Sequence, residues 1–132
     1  MKNIIPRTDN EWEKKLSPEQ YRVMREGDTE MPFTGKFLDN KEKGEYSCAA
    51  CKNSLFSSDT KFNSGTGWPS FTDANKKNIM LKEDYSHGMH RIMVICKKCK
   101  SKLGHVFDDI PKELGERYCI NSCALKFKNL KK

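Results

Sequence analysis

The chain contains no apolar run approaching the roughly 20 residues a membrane span requires. Its opening stretch, MKNIIPRTDNEWEKKL, has no segment that would serve as the apolar core of a secretory leader. These absences predict a cytoplasmic protein with no membrane partner. Low-complexity sequence is missing, and so is any internal repeat beyond two Cys-x-x-Cys pairs. Concentrated positive charge is also scarce. The formal net charge is +7, but the lysines are scattered among acidic residues, and their densest cluster (Lys126, Lys128, Lys131, Lys132) lies at the end of the chain. That distribution predicts a solvated surface and no nucleic-acid partner. With 36% hydrophobic and 33% charged residues in 132, the sequence supports one modest core, read as a single domain over 1–132 that cross-links would help to hold.

Six cysteines are present. In a reducing compartment they read as metal ligands or working thiols rather than as a disulfide framework. Cys48-Ala-Ala-Cys51 and Cys96-Lys-Lys-Cys99 each follow a strand-like approach, as in a zinc knuckle. Four thiolates make a complete tetrahedral set for one structural Zn²⁺ with no open position. The pairs stand much farther apart than the roughly 15–20 residues of a small ribbon, so the metal would clip together distant parts of the chain. The redox reading of Cys-x-x-Cys wants a βαβ context, which is absent here.

Ser17, Pro18 and Gln20 form a helix start, with N-cap, first-position proline and capping box, and Gly27 ends the helix about two turns later. From about Phe33 onward, short β-branched and aromatic runs separated by Gly, Asn, Asp and Pro predict a mainly β body. The clearest strands are 90–96, 104–108, 116–120 and 124–128. Between the knuckles, FNSGTGWPSF places Trp68 on a loop stiffened by Pro69 and anchored by Phe62 and Phe71. An indole held this way suits recognition of a small apolar group; packing in the core is the competing reading.

If four cysteines bind metal, Cys119 and Cys123 remain. Strand alternation projects Arg117, Cys119 and Asn121 from one face, with Tyr118 and Ile120 toward the core. A guanidinium two residues away favours the reactive thiolate, so Cys119 reads as a nucleophile. GHVFDD supplies His105, Asp108 and Asp109 as hydrogen-bonding and proton-transfer groups. His87 and His90 read as surface residues.

Taken together, SPEQYRVMREGDTEMPFTG, the two Cys-x-x-Cys pairs, SGTGWPSF, LGHVFDD and RYCINSCALKF resemble, in that order, the B-type methionine sulfoxide reductases of the SelR family. The resemblance covers about residues 10–128. It implies two antiparallel β-sheets with short N-terminal helices and a structural zinc on Cys48, Cys51, Cys96 and Cys99. It further implies a Cys119 nucleophile that reduces methionine-R-sulfoxide in proteins or peptides. Trp68, His105, Asp109, Arg117 and Asn121 would surround the substrate, with His105 as the acid and Asn121 in the proton relay. Cys119 would be left as a sulfenic acid, regenerated by thioredoxin or another thiol reductant, and the enzyme would act as a monomer.

Two departures stand out. Many members carry a histidine where this chain has Lys102, whose side chain is expected to extend into solvent. Many also carry a resolving cysteine in the glycine loop, where this chain has Thr66. Cys123 is then a candidate resolving thiol beside direct reduction of Cys119. Four residues of continuous strand would hold the two about 13 Å apart, too far for a disulfide without a turn at 120–122. The alternatives to catalysis are a zinc module that binds nucleic acid and a β domain that only binds oxidised peptides through Trp68.

Overall fold

The computed structural model describes residues 8–129. Two short helices come first. In α1 (Asp9–Lys15), Thr8 caps the Glu11 N–H while the Glu11 side chain returns to the Thr8 N–H. This Thr-x-x-Glu capping box was present in the sequence but not read there. In α2 (Pro18–Met24), Ser17 and Gln20 form the expected box, and Gly27 adopts φ 81° just beyond the end. Trp12, Leu16, Val23 and Met24 are buried, so the pair docks by one apolar side. Arg25 fastens it: the guanidinium lies 4.0 Å over the Trp12 ring and donates to the Cys99 carbonyl and the Ser101 hydroxyl.

The body is β, as expected, in two antiparallel sheets. The smaller joins β1 (Gly44–Cys48), β2 (Ser54–Ser57) and β9 (Leu125–Asn129) in the order β2-β1-β9. The larger contains β3 (Lys61–Phe62), β4 (Ser70–Phe71), β5 (Ile79–Asp84), β6 (Arg91–Cys96), β7 (Lys102–Phe107) and β8 (Arg117–Ile120). Its order is β3-β4-β8-β7-β6-β5. The four strands expected from pattern correspond to β6, β7, β8 and β9. Ala124 falls in a 3-10 turn (Ser122–Ala124) rather than in β9. Among the described residues, no helix is long and apolar enough to cross a membrane. Lys131 and Lys132 lie outside the described residues, and so does the His87 side chain; His90 is exposed.

Aromatic packing holds the layers together. Tyr46 of β1 is fully buried and meets Phe37, Phe71 and Phe127 at ring-centroid distances of 5.6, 5.2 and 4.8 Å. Phe71 stacks on Phe56 at 4.5 Å. The Tyr46 hydroxyl accepts a 2.8 Å bond from the Asn40 amide, so its polar end is satisfied as its ring is buried. Tyr46→Ala removes the ring that both sheets contact and should cost about 3–5 kcal/mol of unfolding free energy, checked by urea denaturation at pH 7.

Candidate active site and metal centre

The two Cys-x-x-Cys segments are built alike. In each, the residue after the second cysteine takes a left-handed conformation, Lys52 at φ 66° and Lys100 at φ 64°. In each, that residue's N–H donates 2.8 Å to the first cysteine's carbonyl. The tight turn aims both sulfurs of a pair the same way. All four cysteines are buried, and their Sγ atoms lie within 4.8 Å of one another, with Cys48–Cys99 at 3.7 Å and Cys51–Cys96 at 3.4 Å. A tetrahedron with bonds of about 2.3 Å separates its sulfurs by roughly 3.8 Å, so the four thiols fit a single tetrahedral metal ion. Outer contacts orient them: the Asn53 amide points at Cys96 Sγ at 3.7 Å, and Cys99 Sγ lies 3.2 Å from the Ser101 hydroxyl.

A separate cavity of about 230 Å³ opens beside β7 and β8, lined by Thr29, Thr66, Trp68, Arg91, Gly104, His105, Phe107, Arg117, Cys119 and Asn121. Cys119 is registered between Ser70 of β4 and His105 of β7, which places the thiol and the imidazole side by side. Gly104 permits this pairing, because a Cβ there would collide with the Cys119 carbonyl oxygen. Arg117 Nη1 approaches Cys119 Sγ at 2.8 Å, and the Thr66 and Ser70 hydroxyls lie 3.5 and 3.6 Å from it. The guanidinium is pinned by the Phe107 ring at 4.3 Å and by two bonds of 2.9 and 2.7 Å to Asp109. Those bonds hold the Asp109 carboxyl below its usual value. Asp109 therefore reaches the cavity through Arg117 and is not among the residues lining it.

His105 is 6% exposed and bonds through Nε2 to Asp84 Oδ2 at 2.8 Å. That bond, with further bonds from Ser86, holds the Asp84 carboxyl far below its usual range. An ionised carboxylate only accepts, so His105 Nε2 carries the hydrogen. Burial lowers the imidazole pKa; Asp84 opposes the shift, while the charges of Arg91 and Lys102 add to it. Arg91 also lies 3.6 Å from Asp84. No sequence pattern had joined Asp84 to His105, because β6 lies between their strands.

Lys102 contradicts the expectation that it extends into solvent. It is 6% exposed, and its Nζ donates 2.9 Å to the Gly27 and Asp28 carbonyls and 3.1 Å to the Thr29 hydroxyl. The loop after α2 offers a cluster of carbonyls that need a donor, and the lysine reaches back to it. It thus ties down Thr29, a wall of the cavity. Asn121 lines the cavity, but its amide is engaged: Oδ1 accepts from the Glu30 N–H and Nδ2 donates to the Leu103 carbonyl, both at 3.0 Å. Trp68 is half-buried with its indole N–H donating 3.0 Å to the Glu30 carbonyl, and its ring faces the cavity. Sequence reasoning missed Thr29, Glu30, Ser70, Asp84, Arg91 and Phe107; the glycine in LGH was the one local hint of close strand approach.

Cys123 belongs to different surroundings. The strand stops at Ile120, and the 3-10 turn at 122–124 carries Cys123 to another cavity, lined in part by Glu19, Gln20, Glu30 and Ser122. Burial and the nearby Glu30 and Glu19 carboxylates push its thiol up to about 12. That is the reverse of the thiolate character a resolving cysteine needs.

A profile of the SelR domain matches residues 16–129. The chain belongs to the SelR family. Among relatives of this SelR chain, the peptide methionine sulfoxide reductase MsrB of Methanosarcina barkeri is 57% identical over 125 residues, covering 94% of this chain and 88% of the relative. The MsrB of Leptospira interrogans is 53% identical over 93% of this chain and 95% of its own length. The human mitochondrial methionine-R-sulfoxide reductase B2 is 50% identical over 94% of this chain and 72% of its own. A crystal structure of the Mis18 'Yippee-like' domain superposes with a TM-score of 0.56 at 15% identity, covering 69% of this chain and all of that one; this likeness concerns the fold alone.

The opposed influences on His105 give a signed expectation. Asp84→Asn removes the group that raises the imidazole pKa and should shift its titration to lower pH. Lys102→Met removes a charge that lowers it and should shift the titration upward. NMR titration of the imidazole resonances checks both directions.

Proposed function

We propose that this SelR protein reduces methionine-R-sulfoxide in proteins and peptides, with Cys119 as the attacking thiolate and a structural zinc on Cys48, Cys51, Cys96 and Cys99. The observation that carries the reading is the Cys119 thiol beside the Arg117 guanidinium, in a cavity shared with an indole and an Asp84-held imidazole. The guanidinium supports the anionic sulfur, and the Trp68 face accepts the substrate's S-methyl group, so that one epimer fits and the other clashes.

The thiolate attacks the sulfoxide sulfur, and the S–O bond breaks as the oxygen is protonated. The oxygen leaves as water, and a water molecule then attacks the Cys119 sulfur and breaks the S–S bond formed in the first step: methionine departs with that electron pair, and Cys119, two electrons poorer, becomes a sulfenic acid. His105 in its charged form supplies the proton, with Asp84 holding Nε2 and stabilising the imidazolium. Two thiols of an external reductant, such as thioredoxin, then return Cys119 to the thiol with release of water. Cys123 takes no part in this scheme, since its thiol lies on another cavity and burial keeps it protonated. The donor set of four thiolates suits Zn²⁺, which would hold the two knuckles together and supply no chemistry to the sulfoxide.

Cys119→Ser should show no turnover with a dithiol reductant yet keep one zinc per chain by atomic absorption, and full activity of this variant would overturn the assignment. His105→Asn should lower kcat by about 10²–10⁴-fold, the usual worth of a positioned acid. Cys123→Ser should keep thioredoxin-driven turnover unchanged. Cys96→Ser should lose zinc and unfold at a lower temperature, because metal-binding energy in such sites is also folding energy.

A further inference from the structure

Beside the cavity, the segment Glu30–Phe33 holds two large apolar side chains out in solvent. Met31 is 70% and Phe33 69% exposed, more than any other large hydrophobic residue among those described. Neither is a loose end. Phe33 has φ 68°, a left-handed conformation that bulky residues rarely adopt. It is locked there by its N–H, which donates 2.7 Å to the Gly67 carbonyl. Pro32 and the Phe33 ring pack so closely on Gly67 that a Cβ there would lie 2.6 and 3.0 Å from them. On the other side, the Glu30 carbonyl holds the Trp68 indole, and Thr29 lines the cavity. An apolar edge, strained and exposed, is thus bolted to the glycine-tryptophan loop at the cavity's rim. Backbone strain and exposed apolar area both mark surfaces kept for binding.

We propose that Met31 and Phe33 form a docking edge for the polypeptide that carries the sulfoxide, gripping apolar residues beside the oxidised methionine. This rests on the reductase reading above. Size argues for that occupant: at about 230 Å³ the cavity falls below the roughly 300–1,000 Å³ of sites that engulf a drug-sized ligand. It admits a side chain, and the remaining peptide must lie on the surface around its mouth. Methionines are themselves mostly buried in folded proteins, so a sulfoxide presented by an unfolded segment arrives with apolar neighbours. An exposed aromatic ring and a flexible thioether provide adaptable apolar contact for varied sequences.

The test compares three substrates in the wild type and in the Met31→Ser/Phe33→Asn double variant; asparagine is chosen because it tolerates the left-handed backbone. The substrates are N-acetyl methionine-R-sulfoxide amide, a peptide with leucine and valine flanking the sulfoxide, and the same peptide with glycine and aspartate flanks. The expected result is a rise of about tenfold in KM for the apolar-flanked peptide, the worth of a few buried methylenes. Its kcat should be unchanged, as should both constants for the amide. Equal loss on all three substrates, or no change on the apolar-flanked peptide, would overturn the docking role. Binding of the same peptides to Cys119→Ser, read by calorimetry, separates the two claims. If the apolar-flanked peptide binds and the rim substitutions weaken it, docking stands even where the wild type turns over nothing and the reductase reading fails.

Discussion

Buried Glu30 joins three parts of the chain that sequence keeps far apart: its own segment, the loop at Trp68 and the turn at 121–123. It is 4% exposed, and its two oxygens accept the N–H groups of Ser122 and Cys123 at 2.8 and 3.1 Å, satisfying the turn that follows the Cys119 strand. Its own N–H fixes the Asn121 amide and its carbonyl fixes the Trp68 indole. Burial pushes its carboxyl upward while those two backbone donors pull it back, a balance that holds only while every partner stays in place. Each such bond adds about 0.5–1.5 kcal/mol net, but an orphaned buried acceptor costs about 1–3 kcal/mol. The arrangement therefore holds as a unit, and with it the placement of the indole relative to the thiol.

A second, largely buried polar layer lies beside the β7–β8 pair. Asp84, Arg91, Lys102 and His105 place one carboxylate among three groups that carry or can carry positive charge. Lys102 spends its hydrogens on the loop after α2, Arg91 leans on Asp84, and Asp84 keeps its best contact for the imidazole. Burial disfavours the charged form of His105; the carboxylate offsets part of that penalty. The thiol cluster works differently. It ties the α2 side of the molecule to the sheets through Arg25 and the Cys99 carbonyl, well apart in chemistry from the cavity it helps to support.

Much of this was legible locally. Two Cys-x-x-Cys pairs, the helix cap at Ser17, the alternation through Arg117 and Cys119, and the loop around Trp68 all depend on neighbours a few residues away. What escaped depends on distance in sequence. Glu30, Asp84 and Lys102 acquire their roles from carbonyls, amides and an imidazole on other elements. No periodicity marks a lysine that will turn inward to cap a loop. Cys123 is an instructive case: the sequence allowed a turn after the Cys119 strand but not its direction, and the chain leaves the strand at Ile120 and takes a 3-10 turn over Ser122–Ala124. The backbone N–H groups of that turn, fixed on Glu30, direct it to another cavity.

The central claim is that the Cys119 thiol attacks the sulfur of one sulfoxide epimer in the cavity under Trp68. It is tested most directly by a single turnover, without reductant, of the purified R and S epimers, followed by dimedone trapping and peptide mass spectrometry. The account predicts one equivalent of methionine from the R epimer alone and a dimedone adduct on Cys119. Methionine formed equally from both epimers, or an adduct on Cys123 with Cys119 unmodified, would contradict it.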